Sequence, residues 1–223
     1  MWGKAMIAAP GGEMPPGGTR LRGGSTPARR MLLAVLLAVW GAGMTHTVAS
    51  RAGGAHDDEL ARTEAWVRGS YADVTHMDTS ALTQLVASGK PLAIFDVREA
   101  KEYAVSHIDG AARVDPGVWS RTFLAEHGGD VAGKTVVFYC SVGVRSSKLA
   151  GRVQAALLER GATGVYNLEG GIFRWHGDAR PLVDVFGPTD RVHPYDKHWG
   201  RLVPRQDLIA DEPRRPQEAA PTR

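Results

Sequence analysis

From residue 74 onward the chain alternates short apolar runs with longer amphipathic stretches. That alternation marks an α/β layer fold with a mostly parallel sheet. The runs at 74–77, 92–97, 112–114, 135–139 and 164–168 read as strands, with helices filling the gaps. Thr79 or Ser80 is placed to cap a helix carrying Leu82, Leu85 and Val86, which Gly89 and Pro91 then stop. A short helix fits 99–106. The clearest helical spacing runs over 146–160, where Leu149, Val153, Ala156 and Leu157 share one face and Gly161 sits at the C-terminal cap position. A polar helix fits 56–68. Residues 178–210 read as irregular, and no internal repeat is visible.

The first 50 residues behave differently. An uncharged apolar run over 31–44 follows Arg29 and Arg30 directly. It is shorter than the roughly 18–20 residues that span a bilayer and fits the h-region of a secretory signal. Val48, Ala49 and Ser50 offer the small residues a signal peptidase needs. Export to a periplasmic destination is the expectation; an inner-membrane anchor formed by 31–44 is the rival, and a buried core helix the third reading. The paired arginines match a twin-arginine signal poorly. The expected division is a leader over 1–50, an N-terminal extension over 51–73, a folded domain over 74–183 and a C-terminal extension over 184–223. The end of that extension, from 211, is Pro-rich and charged and is expected to be disordered.

Charge adds little once the leader is set apart. The chain has 223 residues and a formal net charge of +3. Residues 1–50 alone contribute +4, which leaves the remainder at −1. The basic isoelectric point of about 9.2 therefore reports the leader, and no nucleic-acid surface is inferred from it. A hydrophobic content of 43% is enough for a globular core.

The chain contains one cysteine, which excludes an intramolecular disulfide and a multi-cysteine zinc site. Cys140 ends the strand-like run Val136-Val137-Phe138-Tyr139. A short loop bearing Gly143 follows, and Arg145 opens the helical stretch. Backbone N–H groups of such a loop converge inside it, and the helix dipole adds partial positive charge, so an anion at its centre is stabilised. A thiolate on Cys140 would be that anion. Cysteines in such surroundings can have pKa values lowered to about 3.5–7.5. The competing reading is an inert cysteine ending a buried strand.

Four linked segments resemble the single-domain rhodaneses, a sulfurtransferase family, over about residues 74–183. They are Asp96-Val97-Arg98-Glu99 with Glu102-Tyr103; Ser106-His107-Ile108-Asp109-Gly110-Ala111; Cys140 to Arg145 with Ser146; and Leu168-Glu169-Gly170-Gly171-Ile172 with Trp175. The resemblance implies a five-stranded parallel sheet flanked by helices on both faces. It also implies that Cys140 attacks a sulfane sulfur and carries it as a persulfide, which is covalent nucleophilic catalysis. Arg145 and the loop of Ser141, Val142, Gly143, Val144 and Ser146 would hold the anionic donor. Thiosulfate or a persulfide is the expected donor and a thiol or cyanide-like species the acceptor, with a sulfur-relay protein as a further partner. No metal or cofactor is expected. Cysteine phosphatases with a similar cradle place their arginine one position farther from the cysteine, so the loop here suits a sulfur atom better than a phosphoryl group.

Several residues carry a bland reading beside the functional one. Asp96 and Arg98 could support the pocket, but an ion pair ending a strand explains them as well, and structure is favoured. His107 reads as a locally bonded loop or core histidine, and Gly170 with Gly171 as a close-packed helix start. Val142 and Val144 read as a modestly apolar rim. His193 and His198 are poorly spaced for a metal. Trp175 and Trp199 read as core or interface anchors. The stretch 192–200 more weakly resembles extensions of some bacterial rhodanese-like proteins. Two other functions stand beside sulfur transfer: a non-catalytic module that binds an anion or partner, and a redox sensor, which lacks a resolving cysteine.

Overall fold

A computed structural model describes residues 54–218. The leader over 1–50, with its apolar run, lies outside the described residues. Among those described, no helix is long and apolar enough to cross a membrane. The elements run α1 (Ala55–Ser70), β1 (Thr75–Met77), α2 (Thr79–Ala87), β2 (Leu92–Asp96), α3 (Ala100–Val105), β3 (Ala112–Arg113), α4 (Ser120–Glu126), β4 (Thr135–Tyr139), α5 (Val144–Glu159), β5 (Gly164–Leu168) and α6 (Gly171–Gly177). A hairpin of β6 (Leu182–Asp184) and β7 (Gly187–Thr189) follows, then 3₁₀ turns at Trp199–Leu202 and Gln206–Leu208.

Five strands form one parallel sheet in the order β1-β5-β4-β2-β3. The central strand β4 shows why. Its side chains alternate faces with period two, and both faces are apolar. Val137 and Tyr139 join one core with Leu60 of α1, Leu82 of α2 and Ile172 of α6. Val136 and Phe138 join the other with Phe123 of α4 and Leu149, Val153 and Leu157 of α5. A strand covered on both sides must read as a continuous apolar run, and a parallel sheet places its loops for ligands beyond the carboxyl ends of the strands. Cys140 is the first residue past that end.

Local differences from expectation have local causes. The cap of α2 is Asp78, whose carboxylate accepts the Ala81 N–H at 2.7 Å. Thr79 is instead the first helical residue, and its hydroxyl donates to Asp178. Helix α5 begins two residues earlier than its apolar spacing implied, because Gly143 takes φ 100° and turns the chain directly into it.

The C-terminal extension is partly ordered into the fold. Val192, Leu202 and Val203 are buried in the same core as Leu60 and Ile172. Val192 pairs with Ile209 in a parallel bridge. The expectation of disorder from residue 211 does not hold for 211–218. There Arg214 grips Asp184 through two hydrogen bonds of 2.6 and 2.7 Å, which ties this stretch to the hairpin. Residues 219–223 lie outside the described residues.

Candidate active site

Helix α6 fixes the Cys140 loop from behind. Ile172 N–H donates to the Cys140 carbonyl at 2.9 Å, and Phe173 N–H to that of Ser141 at 3.1 Å. A Cβ on Gly171 would lie 2.3 Å from the Cys140 carbonyl oxygen, so only glycine permits this approach. The expected close-packed helix start at Gly170 and Gly171 is what the structure has.

The loop then closes over the sulfur. Gly143 N–H donates to Cys140 Sγ at 3.2 Å. Backbone N–H groups of Val142 and Ser146 also act on it. Burial pushes the thiol up, but the Arg145 charge and these donors outweigh it, and the thiol lies below its ordinary value. Cys140 is only 1% exposed. Val142 is not a rim residue: it is 3% exposed and packs in the core, and Val144 packs half-buried against the same core. The alternation of the loop turns both side chains inward.

Arg145 stands in the first turn of α5 and is held by a residue that its sequence neighbourhood does not announce. Its Nη1 donates to Glu102 Oε2 and its Nη2 to Glu102 Oε1, both at 2.8 Å. Glu102 Oε2 also accepts Glu99 N–H at 3.0 Å, and Oε1 accepts the Ser141 hydroxyl at 2.9 Å. A carboxylate has about four acceptor sites, and here all are used. Burial raises the Glu102 carboxyl, but hydrogen bonds and charge from Arg145, with the charge of Arg98, hold it below its ordinary value. Arg145 also donates to the Ser141 hydroxyl at 2.8 Å, and its charge acts on Cys140.

Asp96 and Arg98 form a fully buried pair beneath this layer. Arg98 Nε and Nη2 reach the Asp96 carboxylate at 2.8 and 2.6 Å, Nη2 reaches the Ser106 carbonyl at 2.7 Å, and the Tyr139 hydroxyl donates to Asp96 at 2.7 Å. These bonds tie the end of β2 to the end of β4 and to the close of α3. None of these partners belongs to the Cys140 loop. Ser146 donates to Asn167 Oδ1 at 2.6 Å, which anchors the start of α5 to β5.

The remaining candidates fall elsewhere. His107 stacks on Tyr103 with ring centroids 3.8 Å apart and bonds the Tyr103 carbonyl. Trp175 is buried and donates to the Pro181 carbonyl. Trp199 lines a groove of about 470 Å³ with Trp66, and no residue of the Cys140 loop lines it. His193 is buried and accepts the Tyr195 N–H at 2.9 Å, whereas His198 is exposed and bonds Arg201. Among the described residues no group of three or more His, Cys, Asp or Glu is placed to hold a metal ion.

With this geometry in view, comparison with known proteins identifies the domain that carries the site. Residues 78–178 match the family model described as rhodanese-like domain. The chain carries a rhodanese-like domain. Curated relatives include a tRNA uridine(34) hydroxylase from Cupriavidus taiwanensis, 36% identical over 89 residues, which cover 39% of this chain and 30% of that protein. A probable adenylyltransferase/sulfurtransferase MoeZ from Mycobacterium tuberculosis is 36% identical over 100 residues, covering 44% of this chain and 24% of that protein. The chain thus spans about a third or less of the length of these relatives. Among solved structures, a thiosulfate sulfurtransferase from Pseudomonas aeruginosa is 21% identical, covers 58% of this chain and 23% of that chain, and gives a TM-score of 0.43. The rhodanese-like domain accounts for the parallel sheet and for the position of the Cys140 loop at its carboxyl edge.

Proposed function

We propose that this protein is a sulfurtransferase that moves a sulfane sulfur from thiosulfate or a persulfide donor to a thiophilic acceptor through a Cys140 persulfide. The single observation that supports this most is the convergence of the Gly143, Val142 and Ser146 amides with Arg145 on one buried sulfur. Donors aimed at a fixed anion in a dry site need no reorganisation as charge moves, and each such donor is worth up to about 3–4 kcal/mol by comparison with oxyanion holes.

In the first half-reaction the Cys140 thiolate attacks the outer sulfur of thiosulfate. An S–S bond forms to Cys140, the S–S bond within thiosulfate breaks, and sulfite leaves with the electron pair. In the second, an acceptor such as cyanide or a thiolate takes the outer sulfur, and the Cys140 thiolate is regenerated. Arg145 and the loop amides carry the negative charge in both halves. A small buried sulfur served by one cradle favours this ping-pong sequence over direct transfer.

A second reading has its own support. Arg145 is already paired with Glu102, and Cys140 is nearly closed from solvent, which also suits a module that holds an anion or partner without turnover. Thiocyanate formation from thiosulfate and cyanide separates the two. Turnover in the wild type that Cys140→Ala abolishes supports the enzyme. A folded wild type that binds thiosulfate and yields no thiocyanate supports the module.

A further inference from the structure

The C-terminal extension reaches Arg145 of the Cys140 site through Tyr195. Tyr195 lays its ring over the Arg145 guanidinium, 4.5 Å from its central carbon to the ring centroid. Glu102 and Ser141 take N–H groups along the edge of that guanidinium, whereas the ring takes a face. A π-face attracts the cation without consuming an N–H donor. A second carboxylate in the same position would neutralise the charge.

The backbone that carries the ring is fixed unusually firmly. Tyr195 has φ 68°, and among the described residues Ala179 is the other non-glycine with positive φ. That conformation is unfavourable for a tyrosine and persists only where the surroundings impose it. Here they do. Val192 is buried in the core, His193 Nδ1 accepts the Tyr195 N–H, and the Pro194 carbonyl accepts the Asp196 N–H at 3.0 Å. Asp196 Oδ1 then accepts the His198 and Trp199 N–H groups, each at 2.8 Å. Gly200 packs so closely on Pro194 that an added Cβ would lie 2.8 Å from the Pro194 Cβ. The turn at this strained residue places an aromatic ring over Arg145.

We infer that Tyr195 is a positioning and specificity-determining residue of the Cys140 site: it holds the Arg145 guanidinium in plane and roofs the sulfur, restricting the site to small anionic donors and slim acceptors. This inference rests on the sulfurtransferase reading for the donor and, for the roof, on the ring's place over Arg145, whose charge acts on the sulfur.

The test uses the full chain, whose single cysteine makes every thiol readout unambiguous. Wild type, Tyr195→Gly and Tyr195→Phe are compared; glycine suits φ 68°, so the first variant removes the ring without straining the backbone. Cys140 is alkylated with iodoacetamide and with the bulkier N-cyclohexylmaleimide, and sulfur uptake from thiosulfate is followed by mass. In Tyr195→Gly the rate ratio of bulky to small reagent is expected to rise about tenfold or more, the equivalent of one decade in barrier. The KM for thiosulfate is expected to rise about two- to thirtyfold, the range of a cation–π contact from exposed to desolvated. Tyr195→Phe keeps the ring face and restores both. An unchanged reagent ratio in Tyr195→Gly, with normal sulfur uptake, overturns the roof and leaves the reaction standing. An opened ratio with no sulfur uptake by the wild type upholds the roof and overturns the donor.

Discussion

The Glu102–Arg145 pair carries the sharpest consequence of this site. Arg145→Gln keeps the approximate shape and some donors but strips the cation from a carboxylate that is fully buried, while Arg145 itself is 21% exposed. Removing one partner of a buried pair costs about 3–5 kcal/mol because the other charge is left uncompensated. The partial exposure of Arg145 places the expectation at the lower end, about 3 kcal/mol. For a domain of this size that is a fall in Tm of about 6–12 °C. The double variant Glu102→Gln, Arg145→Gln puts two amides in place of two charges, so at least half of that loss is expected to return. Thiol chemistry should not return with it. Arg145 is the largest influence that lowers the Cys140 thiol against its burial, so its loss leaves less thiolate at any pH near the thiol's titration. The cation lowers the thiol, so removing it moves the iodoacetamide rate profile of Cys140 toward higher pH in both variants, and the profiles converge with wild type only where the ordinary thiol is ionised. Stopped alkylation with mass readout and thermal melts measure the two effects separately. A double variant that keeps the wild-type alkylation profile would refute the assignment of Arg145 as the group that stabilises the thiolate.

Two further outcomes follow from other parts of the fold. Gly171→Ala drives a Cβ to 2.3 Å from the Cys140 carbonyl oxygen at a residue with φ 54°; a loss of about 3 kcal/mol or more is expected in urea melts, at the upper end for a single substitution, and a loss under 1 kcal/mol would contradict the close packing of α6 on the loop. Hydrogen bonds from Arg214, with the Phe186 N–H, hold the Asp184 carboxyl below its ordinary value. A folded value below the unfolded one stabilises fully above the unfolded value and is lost as pH falls through the folded one. Hydrogen-exchange protection of 211–218, taken relative to the intrinsic rate at each pH, should therefore fall below about pH 4, and Arg214→Ala should show that loss of protection already at neutral pH.

The sheet was legible because its strands are buried on both faces. Such strands read as apolar runs, and the runs at 135–139 and 164–168 coincide with β4 and β5. The Cys140 loop was legible because its parts are contiguous: strand, glycine, arginine and helix occur within a few positions. What sequence spacing missed was set by distant contacts. Glu102 lies 43 positions from Arg145, and its visible local signal, a glutamate three residues after Glu99 at a helix start, is explained by capping alone. Tyr195 lies beyond the rhodanese-like domain in a stretch with no regular period, so only folding shows which site it meets. Val142 and Val144 misled for a related reason: a loop that turns its amides toward a sulfur must turn its side chains away, into the core.

The most direct measurement of the central claim is the intact mass of the full-length protein, wild type and Cys140→Ser, after brief exposure to thiosulfate and removal of excess. A gain of one sulfur atom on wild type, mapped to Cys140 and discharged by cyanide as thiocyanate, is the predicted result. A wild type that stays at its original mass while remaining folded and alkylable at Cys140 would contradict it.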